Sequence, residues 1–145
     1  MRRLRKFLRL PSTDRNLLIS AVLLLAATRY GLQLLPFRII RRLLARPPQR
    51  ARGCSQTNQS SREQIVWAVT VASKYMPSTC LSQALTAQVL LEKAGFSAHL
   101  RIGLVKGPDG QLRGHAWIES QGKVVIGALE DLSRYVTLPL QRERP

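Results

Sequence analysis

The sequence is short of the residues on which several chemistries depend. It holds two cysteines and two histidines in 145 residues. Two cysteines cannot build the disulfide framework of a small secreted scaffold. Together with two histidines they give too few ligands for a CxxC…CxxC zinc site. Aromatic residues make up only 6%, and no helix-turn-helix, zinc-finger or RNA-binding signature is visible, so little offers to read or stack on bases. Acidic residues are scarce: eight Asp+Glu stand against 23 Lys+Arg, a net charge of +15. Such a surplus points first to a polyanion, either nucleic acid or anionic lipid. What is present argues for a folded chain. Apolar residues reach 45%, charged residues 21%, and the length suits one domain with an accessory segment.

The charge is unevenly placed. Residues 1–52 carry thirteen basic residues and one acid, Asp14, a surplus of twelve. Residues 53–145 carry ten basic and seven acidic residues, a surplus of three. The basic character therefore belongs to the first third.

Residues 2–9 read RRLRKFLR, with Leu4, Phe7 and Leu8 at helical spacing. Pro11 interrupts, and Ser12-Thr13-Asp14 starts a helix. No residue from 16 to 28 is charged. As a helix that run spans roughly 20 Å, short of a bilayer core. It reads first as a buried helix of a soluble protein, then as a membrane-surface helix, and last as a signal peptide. The signal reading suffers from Pro11, Asp14 and the lack of a good cleavage site after Ala27. Pro36 ends or kinks this unit, and Phe37, Ile40, Leu43 and Leu44 then share a face. Pro47-Pro48 stops the pattern. The division that follows is a basic helical arm (1–48), a polar linker (49–61) and a catalytic-type domain (62–145). Cys54 falls in the linker and reads as incidental.

Residues 62–76 read as a helix, with Ile65, Val69, Ala72 and Met76 on one side. Pro77 breaks it. Ser78 is the expected N-cap of a second helix, which runs to Lys93 and is closed by Gly95. Strands follow at 97–106 and 111–119, joined by Gly107-Pro108-Asp109-Gly110. A hairpin at Gln121-Gly122 returns the chain as a third strand over 124–126. Helices followed by a strand meander give an α+β fold.

Cys80 is the sharpest chemical position. It lies in the first turn of the second predicted helix, where N–H groups and the helix dipole favour a thiolate. Those N–H groups also suit an oxyanion. The competing reading is a structural thiol, since Cys80, Ala84, Ala87 and Leu91 share a helix face. His115 lies on a strand in GHAW, behind Gly114. Its imidazole can take a thiol proton and return it to a leaving amine, or it can be a half-buried sheet histidine. Trp117, two positions on, either packs over the pair or fills the core. His99 reads as structural. Gln83 and Gln88 read as surface or helix-partner residues.

A helix-start cysteine followed by a strand histidine is the papain/transglutaminase order. The stretches PSTCLSQALTAQVLLEKAG, LRIGLVKGPDGQLRGHAWIE and VVIGALEDLSRYVTLP resemble the transglutaminase-like leader peptidases of lasso-peptide biosynthesis. The run DRNLLISAVLLLA…LLPFRIIRRLL is similar to the helical arm of those proteins. The resemblance implies a small papain/transglutaminase-like core and a cysteine protease without cofactor or metal. Cys80 would attack the carbonyl at the leader–core junction, and His115 would act as base and then acid. The implied partners are the precursor's leader, a separate leader-recognition protein and an asparagine-synthetase-like macrocyclase. The implied location is the cytoplasm, with a weak membrane-surface contact left open and no nucleic acid. The arm offers Arg38, Arg41 and Arg42 as a surface for leader or partner.

The family's pattern also needs a carboxylate to orient the histidine. Counting across the hairpin sets Gly127 or Ala128 opposite His115, and neither has a carboxylate. Glu130 or Asp131, brought in by a bulge, is the remaining expectation. Glu119 shares a strand face with His115, but four strand positions span roughly 13 Å. The missing clear carboxylate sustains an alternative: a degenerate fold that only binds leader or partner.

Overall fold

The computed structural model describes residues 10–44 and 57–139. The pattern read in residues 2–9, the Pro47-Pro48 stop and Cys54 lie outside these residues. Within the described residues four helices precede an antiparallel sheet: α1 (Ser12–Leu34), α2 (Phe37–Leu44), α3 (Thr57–Tyr75), α4 (Cys80–Lys93), β1 (His99–Lys106), β2 (Leu112–Ser120), β3 (Lys123–Ile126) and β4 (Val136–Thr137). A short 3-10 turn, Leu132–Arg134, stands before β4. The α+β architecture expected from the sequence is the one observed.

Alanines let the helices approach closely. Ala21 of α1, Ala68 and Ala72 of α3, and Ala84 and Ala87 of α4 are all buried. Around them Leu25, Leu85, Leu91 and Ile118 are fully buried, each burial stabilising by about 1.5–3 kcal/mol. One hydrophobic cluster takes in residues of α1, α2, α3, α4 and the sheet. The basic arm is thus part of the core through its inner face. α1 is longer than the charge-free run, because residues 12–15 and 29–34 continue the helix at either end. α3 also starts earlier than expected, at Thr57.

The sheet order is β3-β2-β1-β4. β1 and β2 form a long hairpin in which Gly103 faces His115 and Ile102 faces Ala116. At its tip, Gly107 N–H donates to Gln111 O (2.8 Å), and Gly110 adopts φ +78°. The next turn has φ +52° at Gln121 and +74° at Gly122, the two positive values of a tight primed hairpin. Arg62 of α3 donates to Gln121 Oε1 at 2.7 Å and ties that turn to the helices. β4 has only two residues and pairs at Gly103 and Leu104 of β1. α4 packs on β2 and lies beside α1 and α3.

Candidate active site

Cys80 is the first residue of α4. The cap is Thr79 rather than the expected Ser78. Thr79 Oγ1 accepts from Ser82 N–H (3.3 Å), and Thr79 N–H donates to Ser82 Oγ (2.9 Å), a reciprocal capping box. Ser78 instead accepts at its Oγ from Gln83 Nε2 (2.9 Å). That bond gives Gln83 a bracing role at the start of the helix. The box fixes the turn in which Cys80 sits. By helix geometry the N–H groups of Cys80 and Leu81 have no intrahelical partner. They are therefore positioned to meet an anion at the thiol. Cys80 is half-buried, a free thiol, and packs against the core edge.

His115 is half-buried on β2, the strand on which α4 packs. Its Nε2 lies 2.7 Å from the carbonyl oxygen of Gly127. A carbonyl only accepts, so Nε2 is the donor and carries the proton. The neutral ring then has its lone pair on Nδ1. Trp117 stacks along the ring (centroids 6.2 Å apart, planes 18° apart), and Tyr135 meets it at 5.9 Å and 56°.

Two glycines make this arrangement possible. A Cβ on Gly103 would lie 2.9 Å from the Trp117 ring and 2.9 Å from Tyr135 Cβ. The aromatic wall closes over a strand position that holds no side chain. Gly127 has φ +79°, and a Cβ there would lie 2.7 Å from Ala116 O. Only glycine brings its carbonyl to His115 in this way.

Trp117 is itself held in place. Its Nε1 donates to Glu119 Oε1 (3.0 Å), and Arg101 Nε donates to Glu119 Oε2 (3.3 Å). The Trp117 bond, aided by Arg101, holds the Glu119 carboxyl below the usual carboxylate range. Glu119 therefore reaches His115 only through the indole.

The expected carboxylate is not the partner of His115. A bulge does occur, between Ile118 and Glu119 against β3, but the group brought to Nε2 is the Gly127 carbonyl. Glu130 and Asp131 are exposed. Asp131 leads into the 3-10 turn, with its main-chain oxygen accepting from Arg134 N–H (2.9 Å). The reason is local: Gly127, at φ +79°, meets Nε2 with its own carbonyl before the chain reaches either acid. Arg38 and Arg42 are exposed on α2, which packs on α1. The side chain of Arg41 lies outside the described residues.

Sequence reasoning missed Gly103 and Tyr135, and it set Gly127 opposite His115 but weighed only its lack of a side chain, not its carbonyl. A glycine inside an alternating strand was the available signal for Gly103. Nothing in the string LSRYVT marked Tyr135.

Residues 22–139 match the family model of the transglutaminase-like superfamily. No curated protein and no solved structure matches the chain. The matched stretch begins inside α1 and includes both Cys80 and His115.

Proposed function

Because the chain belongs to the transglutaminase-like superfamily, which includes cysteine proteases, we propose that it is a cysteine peptidase that removes the leader from a ribosomally made lasso-peptide precursor. The observation that carries the reading is the tether of His115. With Nε2–H held by Gly127 O, Nδ1 is the nitrogen left to accept a thiol proton, and Cys80 opens the helix that packs on the strand bearing His115. The resemblance of the motifs around both residues supplies the substrate class.

The steps balance without a cofactor. His115 Nδ1 takes the proton of the Cys80 thiol as the sulfur attacks the carbonyl at the leader–core junction. The C–N bond then breaks, and the imidazolium returns its proton to the departing core amine. A thioester remains on Cys80. His115 next deprotonates a water molecule, which attacks the thioester; the C–S bond breaks, the leader leaves as a carboxylic acid, and the imidazolium proton returns to the Cys80 sulfur. The N–H groups of the first turn of α4 stabilise the oxyanion at each stage. A separate recognition protein presents the leader, and an asparagine-synthetase-like cyclase uses the freed amine. The thiol and the ribosomal substrate both suit the cytoplasm.

The test is cleavage of a matched precursor in the presence of its recognition protein, followed by mass spectrometry. Cys80→Ala and His115→Ala should each abolish the leader product while the circular dichroism spectrum is kept. Full cleavage by Cys80→Ala would sink the proposal. A second reading, a binding module without catalysis, draws on the neutral carbonyl that stands where a carboxylate orients the histidine in the family. Cys80 alkylating no faster than Cys54, with leader binding intact, would favour it.

A further inference from the structure

The outer face of α1 carries an apolar ridge that the peptidase reading leaves unused. Ile19, Leu23, Ala27, Tyr30 and Leu34 recur every three or four residues, which places them within one narrow sector of the helix. They are exposed, Leu23 at 64%, Tyr30 at 59% and Leu34 at 82%. The ridge is about 22 Å long at helical rise, and Ile39 of α2, beyond Pro36, is also exposed, at 44%. It bears no charge along its length. Cations stand at both ends: Arg15 one turn before Ile19, and the exposed Arg38 and Arg42 after Leu34. Residues 1–52 as a whole hold thirteen basic residues to one acid.

We infer that α1 and α2 seat the protein on an anionic membrane surface, with the ridge in the acyl boundary and the arginines on lipid phosphates. The shape favours lipid over a folded partner, because a convex helix ridge needs only a soft apolar phase, whereas a protein would need a matching groove. The charge favours acidic headgroups. α1 is long and apolar enough to cross a bilayer, but its opposite face is committed. Leu18, Ala21, Leu25 and Thr28 are buried in the core, and Thr28 Oγ1 lies 3.2 Å from Thr86 Oγ1 and 3.4 Å from the Ser82 carbonyl. Spanning would break that packing, so the helix lies in the membrane plane. Arg38 and Arg42, which the sequence offers to an acidic leader, are on this reading lipid contacts.

Flotation of the full chain with phosphatidylcholine vesicles, with and without phosphatidylglycerol, tests the inference. The expected result is co-flotation with the anionic vesicles alone. Leu23→Glu with Leu34→Glu should abolish it. Arg38→Glu with Arg42→Glu should weaken it by about tenfold or more. Circular dichroism melts would show that both variants stay folded, since all four side chains are exposed. Several results would overturn the inference: no flotation on anionic vesicles, equal flotation on phosphatidylcholine, or flotation unchanged in both variants. So would a dimer in sedimentation that Leu23→Glu dissociates, which would give the ridge to a second copy. An acidic leader peptide protecting Arg38 and Arg42 while vesicles do not bind would give the arginines to a peptide.

Discussion

A main-chain carbonyl orients an imidazole as well as a carboxylate does, but it supplies no negative charge. That distinction governs what His115 can be. The bond from Nε2–H to Gly127 O fixes the tautomer and the ring plane, and the stacked Trp117 holds the plane from the side. Nitrogen-15 NMR of the neutral histidine should therefore show the proton on Nε2 and an unprotonated Nδ1. A dominant Nδ1–H form would contradict the arrangement. Gly127→Ala should move the carbonyl, because φ is +79° and the new Cβ would press on Ala116 O. We expect a loss of about 1–3 kcal/mol in thermal or urea unfolding, together with a mixed tautomer signal. An alanine variant that kept both the wild-type stability and a pure Nε2–H signal would contradict this role. Side chains are legible in a sequence and carbonyls are not. Cys80 and His115 stand out in the sequence, whereas for the partner of His115 it offers only acids, Glu130 and Asp131 the nearest. The conformational freedom of one glycine decided the matter.

At the level of elements, the boundaries of α4 show what periodicity and capping chemistry can and cannot give. Pro77 and Gly95 marked its limits, and the helix runs Cys80–Lys93. Ser78 and Thr79 are equally good caps on paper. The choice fell to Thr79 because Ser82, three residues on, completes the box, and Ser82 is fully buried. Thr79→Ala should cost about 1 kcal/mol in a thermal or denaturant melt, and Ser78→Ala distinctly less. The far end of α4 carries a titration. Burial raises the Glu92 carboxyl above its usual range, partly offset by the bond from Gln88 Nε2 (2.9 Å). A raised folded pKa means that the folded state holds the proton more tightly than the unfolded chain. The group's stabilising contribution is then full below the ordinary glutamate range and is lost as pH rises through the folded value. Glu92→Gln should accordingly raise the melting temperature at neutral pH, and the gain should fade as pH falls through the ordinary glutamate range. A gain that is the same at acid and neutral pH would contradict the burial cause. The strand meander was legible from alternation and turn residues. β4 was not, because two residues cannot show a period and their pairing with β1 is set by tertiary contact.

For the molecule as a whole, the largest difference between sequence and structure concerns how the arm relates to the rest. Composition divides the chain sharply, with a surplus of twelve positive charges before residue 53 and three after it. Packing does not follow that division, because charge is read from the exposed faces and cohesion from the buried ones. The inner face of α1 puts Leu18, Ala21 and Leu25 into the single core, and α1 packs on both α3 and α4. Thr28 is buried and hydrogen-bonded toward Ser82 and Thr86 of the helix that Cys80 opens. Loss of Leu18 and Leu25 alone removes about 3–6 kcal/mol of burial. Absence of α1 would also leave the buried Ser82 and Thr86, which Thr28 meets, without that partner. A domain of this size has only about 5–15 kcal/mol of net stability. A fragment of residues 57–145 should therefore fail to fold alone and show no cooperative thermal transition by circular dichroism. A peptide of residues 10–44 added in trans should restore part of it. If the fragment melted cooperatively near the temperature of the full chain, α1 would be an appendage rather than a wall of the core. The inference that its outer face rests on lipid while its inner face braces α4 would then lose its structural ground.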